Sequence, residues 1–160
     1  MAYTIVSSIA NDQAVATNDT TQNEKLGRIV QAFDIDRGYG EFIYLKGLAS
    51  TAVGEVVHYN SDDYSTTLAV ANGIGPIAVA MAATVASEYG WYQISGKASA
   101  LALTGFADDA NVYLTATAGS IDDADVAGDY VANAKGASAV ASGLADLEIS
   151  RPSTADALDN

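Results

Sequence analysis

The chain has 160 residues, about one domain's worth, with 7 basic against 20 acidic side chains and a net charge of −13. Only 17 % of its residues are charged, so the acidity comes from a shortage of bases, and it argues against nucleic acid and anionic membrane surfaces as partners. There is no Cys, which removes disulfides, Cys-ligated zinc and thiol chemistry, and the single His58 cannot make a multi-His metal site.

Residues 1–25 read as an extended arm. Tyr3, Ile5 and Ile9 alternate with polar or small residues, and Asn11 to Glu24 is then a polar run with little to bury. Such a run does not offset its own ordering entropy. Two readings stay open: a disordered tail, or an arm that orders on a partner. The second uses the apolar residues at the tip, Tyr3, Ile5, Val6 and Ile9, as contacts to another chain. Met1 to Ala10 has no basic region and no long apolar run, so no secretory signal is expected there.

From Leu26 the pattern changes to short strand-like runs split by Gly, Asp, Asn and Ser. They are Leu26–Phe33, Glu41–Lys46, Val53–Tyr59, Thr66–Ala71, Ile77–Ala82, Gly90–Ser95, Ala98–Thr104, Asn111–Ala116, Asp129–Ala134 and Leu144–Ser150. Spacing of this kind predicts an all-β sandwich or barrel. Asn72-Gly73 predicts a hairpin turn, since both residues accept positive φ. Leu68–Ala86 has the length of a membrane span but is mostly Ala, holds Asn72, Gly73, Gly75 and Pro76, and lacks basic flanks. A helix over Pro76–Glu88 competes with strand there, as Pro suits a first helical position and Ala favours helix. The Gly90-Trp91 that follows at once, and the lack of a strong apolar face, favour strand.

A faint repeat links Tyr39-Gly40 through Tyr59 with Tyr89-Gly90 through Tyr113, at a spacing of fifty residues. Either the body is built from two similar units, or β proteins reuse one turn vocabulary. The expected core is Ile29, Val30, Phe42, Tyr44, Val57, Ile77, Val79, Trp91, Ile94, Leu101, Leu103, Val112 and Leu147. Ser153–Asn160, after Pro152, reads as a frayed acidic tail. The organisation is therefore an arm (1–25), a β-rich body (26–152) and a tail (153–160).

Chemistry-bearing patterns are scarce. Asp34, Asp36 and Gly38 open like a calcium loop but lack the third ligand and the closing Glu. Asp122, Asp123, Asp125 and Asp129 read as a solvated loop. His58 lies in a strand-like run, and no nucleophile elbow or phosphate-binding glycine loop accompanies it. No catalytic residue, metal site or cofactor is assigned, and an enzyme is not expected. The aromatics Tyr39, Tyr89, Trp91 and Tyr92 gather where the two similar runs open, and are candidate interface residues.

The run Tyr89-Gly90-Trp91-Tyr92-Gln93-Ile94-Ser95-Gly96-Lys97-Ala98 resembles the "EYGWVQI-G-A" segment of a family of small tailed-phage head proteins. Gly75-Pro76-Ile77-Ala78-Val79-Ala80 is similar to its "G-VGVA" strand. Val112-Tyr113-Leu114-Thr115-Ala116-Thr117-Ala118-Gly119 through Asp123 is similar to "LYTTATAGALDD", and Leu26-Gly27-Arg28 through Leu45 to its opening "LGT-V…GSEYIYV-A". The resemblance covers roughly residues 26–150. It departs at Leu147–Pro152, and the arm lies outside it. It implies a capsid decoration, or cement, protein of the lambda type: a small antiparallel β-barrel or β-tulip-like body with an extended N-terminal arm. It also implies a homo-oligomer, trimer before dimer, on the outer capsid surface of the virion, with the major capsid protein as partner and a stabilised head as the result. The alternative is a head fibre or adhesin module that binds host glycans.

Overall fold

The computed structural model describes residues 3–6 and 13–155. The elements are β1 (Thr4–Ile5), β2 (Asn18–Asp19), β3 (Ile29–Asp34), β4 (Gly38–Lys46), β5 (Val56–Tyr59), β6 (Thr66–Leu68), β7 (Gly75–Ala80), β8 (Tyr89–Leu101), β9 (Asn111–Leu114), β10 (Ile121–Asp122), β11 (Tyr130–Gly136) and β12 (Leu144–Thr154). Among the described residues there is no helix, so the all-β expectation holds. All the strand pairings are antiparallel, in the order β1-β3-β4-β8-β7-β12-β11-β9-β10. The ends of that order, β1 and β10, do not pair, so the sheet is not closed into a barrel.

β4 and the first half of β8 form the centre. Phe42 and Tyr44 pack with Trp91 and Val30 on one side, and Ile43 and Leu45 with Tyr92, Ile94 and Val57 on the other. Alternate side chains of a strand point to opposite faces. Both faces are covered here, so Phe42 to Leu45 are buried without a break. A third cluster joins β8's second half to β7, β9, β11 and β12, and is built largely from Ala98, Ala100, Ala102, Ala145 and Leu147.

β8 is continuous where two runs were expected. Its first half pairs with β4 and its second with β12. Gly96 lies where the pairing partner changes: its φ is +96°, and a Cβ there would lie 2.5 Å from the carbonyl oxygen of Tyr39. Asn72 does adopt positive φ (64°), but β6 and β7 do not pair with each other. β5 lies between them and pairs with both, so the turn closes no hairpin.

The body does repeat, at a spacing of 55 rather than fifty. Ser87 and Ser142, 55 residues apart, both have positive φ, as do Ser50 with Gly105, Gly54 with Asp109, Tyr64 with Gly119, and Gly96 with Arg151 at the same interval. β5 pairs β6 and β7 as β9 pairs β10 and β11. β4 pairs β8 as β8 pairs β12. The parallel bridge Lys46↔Ser65 has its counterpart, one residue out of step with that interval, in Ala102↔Ile121. The fifty-residue alignment matched turn residues that are not equivalent in space.

Several expectations need correcting. Ile29 is 40 % exposed, because its face of β3 lies beyond the core's edge. Leu101 and Leu103 are half-buried at the end of β8. Ser153 and Thr154 belong to β12 and pair with Pro76 and Gly75, so the strand runs past Pro152. The polar run is held as well. From Gln13 onward it lies on the body, with Val15 buried, Asn18 paired to Gly90 and the Trp91 indole N–H donating to the Gln13 carbonyl at 3.0 Å. Hydrogen bonds to the body do what an apolar run would otherwise do.

Candidate interaction surface

β3 follows strand periodicity. Val30 and Ala32 face the core, while Ile29, Gln31 and Phe33 face the other way. The register sets Ile29 beside Ile43, Gln31 beside Glu41 and Phe33 beside Tyr39. The rings of Phe33 and Tyr39 lie 5.0 Å apart. β1 extends this face, with Thr4 opposite Phe33 and the Val6 N–H donating to the Gln31 carbonyl at 2.9 Å. Val6 and Tyr39 are 52 % and 61 % exposed. Val6, Ile29, Phe33 and Tyr39 thus lie as an apolar strip on the outer face of one sheet edge, with Gln31 and Glu41 set among them, and exposed apolar surface of this kind marks interaction sites.

Its rim is charge-balanced. Arg37 pairs with Asp146 at 2.7 Å and Arg151 with Glu41 at 3.3 Å. In a chain of net charge −13, this edge carries little repulsion toward another acidic surface.

The arm residues divide between the two faces. Tyr3 turns inward: its ring meets Phe42 edge-on at 4.9 Å, and its hydroxyl donates to the Lys97 carbonyl at 2.9 Å. Burial raises the Tyr3 phenol above its usual range. Ile5 packs on the same core, and Val6 points out. Ile9 lies outside the described residues. Of the candidate aromatics, Tyr39 is exposed and Tyr89 half-buried. Trp91 and Tyr92 are 1 % and 2 % exposed, which corrects their assignment as interface residues. They alternate on a strand whose two faces are both covered, so each fills a core of its own subunit. Phe33 went unassigned and Ile29 was expected in the core; the alternation of Leu26–Phe33 was the available signal for both.

The remaining polar groups hold turns together. Asp34 accepts the N–H groups of Asp36 and Arg37 through Oδ1. Asp129 is buried rather than solvated, and accepts the Asn72 N–H at 2.6 Å. His58 Nε2 lies 2.9 Å from Thr154 Oγ1, which donates to the Gly73 carbonyl at 2.7 Å. With that hydroxyl proton committed, the imidazole is the donor. Burial lowers the His58 pKa. The described residues hold no group of three or more potential metal-ligating His, Cys, Asp or Glu side chains.

No protein-family model matches the sequence. No curated protein matches it either. Among solved structures, the chain is similar to the N base of the head fiber protein gp8.5 of bacteriophage phi29. The TM-score is 0.53 at 16 % identity, over 72 % of this chain and 97 % of that one. At this identity the likeness is one of fold.

Proposed function

We propose that this chain is a structural protein of a tailed-phage head, carried on the outer capsid surface and bound to the major capsid protein, where it stabilises the mature shell. The observation that carries the reading is the likeness of nearly the whole phi29 head fiber base to this fold. It agrees with the sequence resemblance to head-decoration proteins over residues 26–150. The reading assigns the chain no reaction, no cofactor, no nucleic acid and no membrane. The contact to the shell is the strip Val6, Ile29, Phe33 and Tyr39, with the edge of β1 open for strand addition. Copies act together as an oligomer, trimer before dimer, so that weak contacts add through avidity. A second reading is favoured by the same neighbour: the chain is the base of a head fibre whose outer part meets the host.

The test is co-sedimentation of the purified protein with undecorated heads of its parent phage. Val6→Asp and Tyr39→Asp should each weaken binding by about tenfold, equivalent to ~1.4 kcal/mol, with circular dichroism unchanged. Equal binding by both variants removes the strip from the contact. Copy number on the particle separates the two readings: near that of the shell protein for decoration, far fewer for a fibre.

A further inference from the structure

At the far end of β4 from Tyr39, about 23 Å away at strand rise, the ends of β4 and β8 meet the loops that precede β6 and β8. Between them lies an open cleft of about 530 Å³, lined by Leu26, Lys46, Asp63, Ser65, Ser87 and Tyr89 among others. Its walls are built rigidly. Tyr89 is paired on both sides, to Lys46 and to Asp19, and its carbonyl accepts the Gln13 side-chain amide at 2.9 Å. The loop carrying Asp63 is fixed by the Tyr64 N–H on the Asn60 carbonyl and the Lys46 N–H on the Tyr64 carbonyl. Asp63 Oδ1 accepts both the N–H and the hydroxyl of Ser65. These bonds hold the Asp63 carboxyl below its usual pKa range.

The cleft also holds an exposed cation, Lys46. Of the seven bases, Arg28, Arg37, Lys97, Lys135 and Arg151 are ion-paired. Among the described residues Lys25 and Lys46 make no ion pair, and Lys46 lies opposite half-buried Tyr89 in the strand register, with Asp63 in the same cleft.

We infer that this cleft is a saccharide-binding site. A pyranose ring has an apolar C–H face that stacks on an aromatic and aliphatic wall, here Tyr89 and Leu26. Its hydroxyls both donate and accept, and the rim offers an acceptor in Asp63 and donors in Lys46 and Ser87. A phosphate ligand would meet Asp63 and a chain of net charge −13. A wholly apolar ligand would leave the charged rim unsatisfied. Preorganised walls lower the ordering cost of binding. The cleft lies at the opposite end of β4 from Tyr39 in the proposed shell contact.

The experiment is saturation-transfer NMR on the purified chain with the neutral sugars maltotriose, chitotriose and cellotriose as probes, at up to about 10 mM, the range of weak single-site sugar binding. The expected result is transfer to the ring protons of at least one probe. Lys46→Met and Asp63→Asn, both at exposed positions, should then weaken its affinity by about tenfold or more, and Tyr89→Ala, checked for fold by circular dichroism, should abolish it. No transfer to any of the three, or transfer that survives all three substitutions, overturns the assignment. Head binding is read separately by co-sedimentation, so failure of one leaves the other standing.

Discussion

The two equivalent halves of the body, β4–β7 and β8–β11, share a path but not a composition. In the first, β7 lies inside the sheet between β5, β8 and β12, and Ile77 to Ala80 are buried without a break. In the second, β11 has solvent on one face, and buried Val131, Ala134 and Gly136 are separated by half-buried or exposed residues. Left-handed backbone recurs at the same places whether or not the residue is glycine: Gly96 against Arg151, Ser50 against Gly105, Tyr64 against Gly119. The left-handed conformation at those positions does not depend on glycine, whereas at Gly96 a Cβ would also meet the backbone of Tyr39.

Substitution at equivalent positions sharpens this contrast. Trp91 in β8 corresponds to Asp146 in β12, each 55 residues from the other within the repeat. Trp91→Ala empties a core position and should cost roughly 3–5 kcal/mol in chemical denaturation. Asp146→Ala removes a partly buried partner of Arg37 and Lys97 and should cost about 1–2 kcal/mol. Similar losses at both would show that the two strands carry comparable loads and break the comparison.

Gly96→Ala should destabilise by well over about 1 kcal/mol, since positive φ and a backbone clash act together. Gly105→Ala has the same sign of φ but nothing within 4 Å, and should cost about 1 kcal/mol. Arg151→Gly should be neutral or stabilising by up to about 1 kcal/mol. Thermal melts of the three variants, ranked against one another, check the claim.

His58 is equivalent to Tyr113, and its imidazole belongs to the side-chain type that ordinarily titrates near neutrality. Burial depresses the folded-state pKa of His58 below 6.5, so the unfolded chain takes up the proton first. The contribution to stability is therefore complete above pH 6.5 and is lost as pH falls through that value. His58→Gln should flatten this part of the stability–pH profile, measured by urea unfolding between pH 5 and pH 8. The smallest effect belongs to Tyr39→Ala, an exposed ring, at under about 0.5 kcal/mol. A larger loss would make Tyr39 part of the core instead of an outward contact.

Much of the strand content was legible because alternation and turn residues are local signals. Ile77, Val79, Trp91 and Val112 could be placed in the core on that basis. β1, β2 and β10 were not legible, because two-residue strands exist only through their partners. The described part of the polar run, Gln13 to Glu24, misled for the same reason: its polar side chains find carbonyls far away in sequence, such as that of Tyr89 in β8 and that of Ala83 in the loop before it. Of the candidate contacts, Tyr39 and Val6 fall on one exposed strip, whereas Trp91 and Tyr92 went inside. Aromatic clustering in sequence does not say how many faces of a strand are covered.

By itself the sequence determined an all-β, acidic, cysteine-free chain with an apolar arm tip, since composition and period-two patterning act residue by residue. Only the tertiary structure decided that the repeat interval is 55, that the sheet stays open, that β4 and β8 are buried on both faces, and that Val6 joins Ile29, Phe33 and Tyr39. Those outcomes depend on which edges pair across the fold, and pairing between strands far apart in sequence leaves no local mark on either strand.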